Sequence, residues 1–309
     1  MVACLCGLSS KGGGKGMLNR KKEAVQGILY ILPSLILILV FSVVPILMSA
    51  YFSFTKYNMM QAPQWVGLDN YVRMVSDPYV KASLINTVVF TLGTVPVQTI
   101  LSLIIAAVLA ELFRGRFGGF VKSSLFVPVI ASAILVGTLW SFLLNPRGLI
   151  NEMLGVFGIP PVNWIGGKQT AMFSICLVSV WKNVGYFLVI YYAGIMDIPR
   201  SHYEAAEVDG ANAVQRFWFI TLPGLKSVTY LVVTLGTIWS FQVFDLVYNM
   251  TGGGPGTSTQ TLVLTIYNAA FKEYNMGYAS SVAMLMFVFV LLINALQKLF
   301  LQESKKGAK

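Results

Sequence analysis

Ser-His-Tyr-Glu-Ala-Ala-Glu-Val-Asp-Gly-Ala at residues 201–211, followed by Phe-Trp-Phe-Ile-Thr-Leu-Pro at 217–223, is a short polar passage between two long apolar ones. Ser201 and Glu204 have the S-x-x-E spacing of a capping box, Gly210 suits the left-handed residue that closes a helix, and Pro223 marks a second stop. The passage is therefore expected to be helical itself. Ala205 and Ala206 leave little bulk on one turn, so a partner's backbone has room to approach, while Glu204, Glu207 and Asp209 supply charge. It reads as a docking knob, with a plain capped hairpin loop as the alternative.

Outward from this loop the chain is too apolar for a water-soluble surface: of 309 residues 56% are hydrophobic and only 11% charged, with mean hydropathy +0.71. Six apolar stretches approach or exceed the roughly 20 residues that cross a bilayer as a helix. They lie at about 28–54, 83–113, 120–144, 171–195, 228–250 and 277–301. The expected fold is an all-α integral membrane protein of six transmembrane helices, tilted or kinked where Pro33, Pro45, Pro96 and Pro128 fall inside them.

Of the Lys and Arg residues other than Lys182, which lies mid-span, six would lie on one side of the membrane and fifteen on the other. The richer side holds both termini and the Glu204 loop, which places all three in the cytoplasm. The net charge of +10 is thus a topology signal. The same charges are dispersed among short loops with no basic platform, so no nucleic acid is expected as a partner. The domain reading is an N-terminal tail at 1–27, a transmembrane domain at 28–302 with the loop at 198–224, and a C-terminal tail at 303–309.

Several local motifs point away from catalysis. Lys-Gly-Gly-Gly-Lys-Gly at 11–16 lacks the first Gly and the final Ser or Thr of a phosphate-binding loop, because Ser9 and Gly16 stand in those places. Cys4 and Cys6 have no zinc-site spacing, and Cys176, inside the fourth stretch, reads as a small hydrophobe. His202 is the sole histidine, with no acidic cluster to make a metal site, so an intramembrane enzyme is set aside. The run before Lys22 is not a signal peptide, since the apolar stretch that follows is too long.

Polar groups inside apolar spans are costly and mark a translocation path. Ser179, Lys182, Asn183 and Tyr186 fall at i, i+3, i+4 and i+7 on one helical face of the fourth stretch. Gln242, Asp245 and Asn249 share a face of the fifth. Helical rise puts Lys182 and Gln242 within roughly 5 Å of each other in depth, so they are expected to line one cavity. Lys182 and Asp245 either face that cavity separately or pair with each other. The threonine rhythm of Thr87, Thr91, Thr94 and Gln98 in the second stretch reads as hydrogen-bonding glue between helices. Neutral hydrogen-bonding groups beside aromatic rings suit a sugar, neutral or anionic.

E-A-A-x-x-x-G at Glu204 to Gly210 with I-x-L-P at Ile220 to Pro223 resembles the cytoplasmic loop of bacterial ABC importer permeases. D-L-V-Y-N-M-T-G-G-G-P at 245–255, W-S-F-L-L-N-P-R-G-L-I-N at 140–151, Gly158-Ile159-Pro160, Trp164 and Ile198-Pro199 resemble the first permease of carbohydrate importers, in the family's order and over nearly the whole chain. The Gly252 to Gly256 run reads as an irregular turn just outside the membrane.

The resemblance implies a type I permease fold in the bacterial inner membrane. It implies a coupling helix, carried by Glu204, Ala205, Ala206, Asp209 and Gly210, that seats in an ATP-hydrolysing subunit. The partners it implies are the lipid bilayer, a second homologous permease, two ATP-binding subunits that hold ATP and Mg, and an extracellular or periplasmic sugar-binding protein that meets the 145–168 loop and the glycine turn. This chain would bind no cofactor or metal and catalyse nothing. Family substrate contacts fall on Ser179, Lys182, Asn183 and Gln242, and on Val129 and Ala133, which are apolar here. The rival reading is an ion-coupled secondary sugar transporter, with Lys182 and Asp245 as a charge relay.

Overall fold

The computed structural model describes residues 28–113 and 115–302. The tails, and with them the readings of Cys4, Cys6 and the 11–16 glycine run, lie outside the described residues. By the density of its contacts the chain divides into two units, 1–51 and 52–309.

The first unit holds most of helix α1 (Ile28–Ser53), apolar on every side as a lipid-embedded rod requires. A π turn at Leu39–Val43 precedes Pro45, where the missing proline N–H would otherwise interrupt the ladder.

The second unit opens with a two-stranded ribbon, β1 (Thr55–Lys56) against β2 (Gln64–Trp65), and a short helix α2 (Asp69–Ser76). α3 (Pro78–Leu112) follows, started by Asp77, whose carboxylate accepts from the Tyr79 N–H. It stays continuous through Pro96. α7 (Thr170–Met196) packs along it and forms the most extensive helix pair in the unit. Their seam carries small and polar residues, as helix association in lipid favours: Gly93 lies against Cys176, Ala106 is fully buried, and the Ser102 hydroxyl donates to the Val184 carbonyl. Of the threonine face of α3, Thr87 and Thr94 act as glue between elements, whereas Thr91 bonds only within its helix and Gln98 lines a cavity described below. Thr91 and Thr94 donate back into their own helix, Thr94 shares a 3.1 Å bond with Ser240, and Thr87 accepts from the Leu262 N–H.

The expected third span is not one rod. α4 (Arg116–Ile130) and α5 (Ala133–Leu143) meet at 98°. Ala131 and Ser132 are extended, and the Ser132 hydroxyl caps α5. A serine four residues after Pro128 inside an apolar run was the available signal for this break.

The fifth span is also shorter than expected. α10 (Lys226–Phe241) ends at Gln242, and Asp245 opens a separate helix α11 (Asp245–Met250), where an acidic side chain suits a helix N-terminus. Gln242, Asp245 and Asn249 therefore do not share a helical face.

Between α7 and α10 lie α8 (Arg200–Val208) and α9 (Ala213–Gly224), the latter with a π turn at Phe217–Thr221. α9 and α10 meet at 68°, and the break falls at Leu225, two residues beyond Pro223. The 145–168 loop contains a helix, α6 (Leu149–Val156), that the sequence reading did not anticipate. The chain closes with α12 (Leu262–Lys272) and α13 (Met276–Gln302). Among the described residues four helices are long and apolar enough to cross a membrane, or up to six with each bent pair taken as one span.

Candidate functional site: an exposed loop helix and a polar cavity

α8 begins at Arg200, with Pro199 in the N-cap position. The anticipated capping box at Ser201 does not form, because Ser201 sits one residue inside the helix, where its hydroxyl is no longer aimed at free N–H groups. The box lies in the next helix instead: the Asn212 side chain accepts from the Gln215 N–H at 2.9 Å while Gln215 Oε1 accepts from the Asn212 N–H at 2.8 Å.

The far end of α8 closes as the glycine signal requires. Gly210 has φ +77°, its N–H donates to the Glu207 carbonyl, and the Ala211 N–H donates to the Ala206 carbonyl at 2.8 Å. No residue of α8 is buried. Glu204, Ala205, Asp209 and Gly210 are exposed and Ala206 is half-buried, so the E-A-A turn faces outward. His202 is exposed on the same helix.

Two side-chain links fasten α8. Tyr203 shares a 2.9 Å hydroxyl bond with Thr221 of α9. Arg216, only 15% exposed, forks to Glu207 on α8 and to Glu111 near the end of α3. Sequence reading could not find this pair, since Glu111 lies a hundred residues away with nothing local to mark it.

α7, α10 and α11, with α3 and α5, line a cavity of about 180 Å³. Ser179, Lys182, Asn183, Gln242 and Asp245 all line it, joined by Gln98, Ala133, Trp239 and Phe244. Gln242 and Asp245 reach it from the turn between two helices rather than from one face. Lys182 Nζ donates to the Val129 carbonyl at 3.4 Å, a group freed by the α4–α5 break. It forms no ion pair with Asp245; among the described residues the only ion pairs are those of Arg216.

Tyr186 and Asn249 stand away from this cavity. Tyr186 packs on Phe187 and Trp239, with ring centroids 5.4 and 4.8 Å away. Asn249 Oδ1 accepts from the Thr138 hydroxyl at 3.1 Å, tying α11 to α5.

Beyond the cavity two irregular segments are built from side-chain bonds. Asn151, 4% exposed, donates to the carbonyls of Asn145, Pro146 and Val162 and accepts from the Val162 N–H and Trp164 Nε1. The glycine run is a turn, with Gly252, Gly253 and Gly256 at positive φ, and Asn86 of α3 donates to the Thr257 and Gln260 carbonyls beside it.

The family described as "Binding-protein-dependent transport system inner membrane component" matches residues 80–306, which take in all but the first two residues of α3 and every element after it. The chain belongs to this family. As a member of it, the chain is a membrane component of a binding-protein-dependent transport system. It is 37% identical over 275 residues to the "Trehalose/maltose transport system permease protein MalF" of Thermococcus litoralis, covering 87% of this chain and 91% of that one. It is 35% identical over 287 residues to the "Lactose transport system permease protein LacF" of Rhizobium radiobacter, covering 91% and 95%. A chain of the crystal structure of a bacterial ABC transporter that imports the acidic polysaccharide alginate shares the fold, with a TM-score of 0.82 at 20% identity over 95% of this chain and 99% of that one.

Proposed function

We propose that this family member is the permease subunit of an ATP-driven importer that passes a sugar or oligosaccharide from an external binding protein into the cytoplasm. The observation that carries the reading is α8: a closed, unburied helix that presents an E-A-A turn outward while its ends are tied to the helix bundle. A helix exposed on this scale is a docking element awaiting a partner. In this reading the partners are two ATP-binding subunits, which hold the ATP and Mg, and this chain catalyses nothing.

Carbohydrate as cargo is supported by relatives named for trehalose, maltose and lactose transport, and by a cavity that offers amide, hydroxyl and indole groups together. About 180 Å³ falls short of the roughly 300–1,000 Å³ of a complete small-molecule site. A second, similar permease would supply the opposite wall. Closing the ATP-binding subunits would move the two loop helices together and rock the cavity from inward to outward access. Both termini and α8 would lie in the cytoplasm of a multi-pass inner-membrane protein, and the Asn151 loop with the glycine turn would meet the binding protein.

The test is reconstitution of the chain with the companions encoded beside it, in lipid vesicles, with a panel of radiolabelled sugars. Loaded binding protein should stimulate ATP hydrolysis and uptake together, and a protonophore should leave uptake intact. Uptake that survives ATP depletion but collapses with an ionophore would overturn the reading in favour of a secondary transporter.

A further inference from the structure

The loop helix is connected to the bundle by more than the covalent chain. α8 runs on from α7 through Asp197 to Pro199, and on sequence grounds α7 is its obvious lever. The side-chain links lead elsewhere. Tyr203 and Glu207, one turn apart on α8, both reach α9, through Thr221 and Arg216. Arg216 then continues to Glu111 on α3.

The three charges are not a solvated surface pair. The Arg216 side chain is 15% exposed and that of Glu111 33%, against 59% for Glu207. The guanidinium, itself mostly buried, is held between a half-buried carboxylate and an exposed one, so screening is weaker than for a fully exposed pair and the planar fork orients both partners. Gly224 lies against the Ile198 side chain, while a groove of about 490 Å³ lined by Glu111, Ile198, Tyr203, Arg216 and Thr221 opens beside the link.

α3 is also the helix that enters the cavity wall. Gln98 lines the cavity, about 20 Å along the helix axis from Glu111 at 1.5 Å per residue. A chain of contacts therefore runs from the E-A-A turn to the cavity through α8, Arg216, Glu111 and α3.

We infer that Arg216 is a positioning residue for coupling: it makes α3, and with it the cavity wall at Gln98, follow the movement of the loop helix. The inference rests on the docking role proposed for α8. If α3 follows α8 through Arg216, cutting the link leaves docking and ATP hydrolysis running while the cavity lags behind, so ATP is spent without transport. If α7 alone carries the movement, cutting the link changes nothing in that ratio.

The experiment uses the full transporter in vesicles with loaded binding protein and measures ATP hydrolysed per sugar moved for Arg216→Gln, Glu111→Gln and the double variant. Each single variant should raise the ratio about ten-fold, equivalent to about 1.4 kcal/mol of lost coupling. The double variant should be no worse than either single, the signature of a shared interaction. Arg216→Lys, a point charge without the fork, should fall between. A native ratio in both single variants, or singles whose effects multiply in the double, would overturn the inference. Should Arg216→Gln fail to assemble, Glu111→Gln decides alone, since there Arg216 still holds Glu207. A native assembly whose ATP hydrolysis ignores the binding protein would remove the docking role first, which separates the two failures.

Discussion

Gly185 has no side chain where α7 meets α4: a Cβ placed there would lie 2.0 Å from the Leu125 carbonyl oxygen and 3.1 Å from the Phe126 Cα. These are backbone atoms and cannot turn aside as a flexible side chain would. Gly185→Ala should therefore push α4 off α7 and cost about 1–3 kcal/mol, an overpacking penalty, read as a lower melting temperature of the purified transporter. An unchanged melting temperature would show that the two helices do not meet so closely. One turn away, Lys182 bonds the Val129 carbonyl, so the same face of α7 both seats α4 and answers a carbonyl exposed by its break. A local reading succeeded where the backbone admits one residue type, and failed at Ser201, whose capping box did not form because the helix starts one residue before it. Gly210 was legible because a left-handed helix end needs glycine. Asn151 and Arg216 were not, because the backbone groups and the distant carboxylate they bond have no sequence signature.

At the scale of elements, the helices that shape the loop and the cavity are those that end early. α8 is closed by two backbone bonds that need Gly210 at φ +77° with its own N–H as one donor. Proline supplies neither, since its φ is fixed near −65° and it has no donor. Gly210→Pro should fray the last turn of α8, which carries Ala206 and Glu207, and lower ATPase stimulation by loaded binding protein about ten-fold, the size of ~1.4 kcal/mol of lost docking. Stimulation at the native level would argue against the docking role. Hydropathy located α3, α7 and α13 to within a few residues because each is one uninterrupted apolar rod. It merged α4 with α5 and α10 with α11, since an apolar residue in a bend looks the same as one in a helix. Ser132 and Asp245, polar residues at new helix starts, were the local marks of both breaks. The second break decides the cavity: it brings Gln242 from the end of α10 and Asp245 from the start of α11 to the cavity, while Asn249 bonds Thr138 instead.

For the whole molecule the strongest claim made from charge alone is orientation. With the native cysteines replaced, a single cysteine at Asn163 should react with a membrane-impermeant maleimide added to intact cells. One at Gln215 should react only after the membrane is opened. The reverse pattern would invert the topology and place α8 on the wrong side for any ATP-binding partner. The polar lining of the cavity is likewise a property of the assembled bundle. α7 alone contributes Ser179, Lys182 and Asn183, and the site becomes a cavity only when Trp239, Gln242, Asp245 and Gln98 arrive from other helices.

By itself the sequence determined that the chain is a helical membrane protein, how many apolar stretches it has, and that a polar helix interrupts them. These follow from the cost of burying polar backbone in lipid, which acts on each stretch separately. Only the tertiary structure decided where two of the stretches break, that Lys182 answers a carbonyl rather than Asp245, and that Arg216 ties α8 to α3. Those outcomes depend on which groups meet across tens or hundreds of residues, and hydrogen bonds and ion pairs form between neighbours in space whatever their separation along the chain.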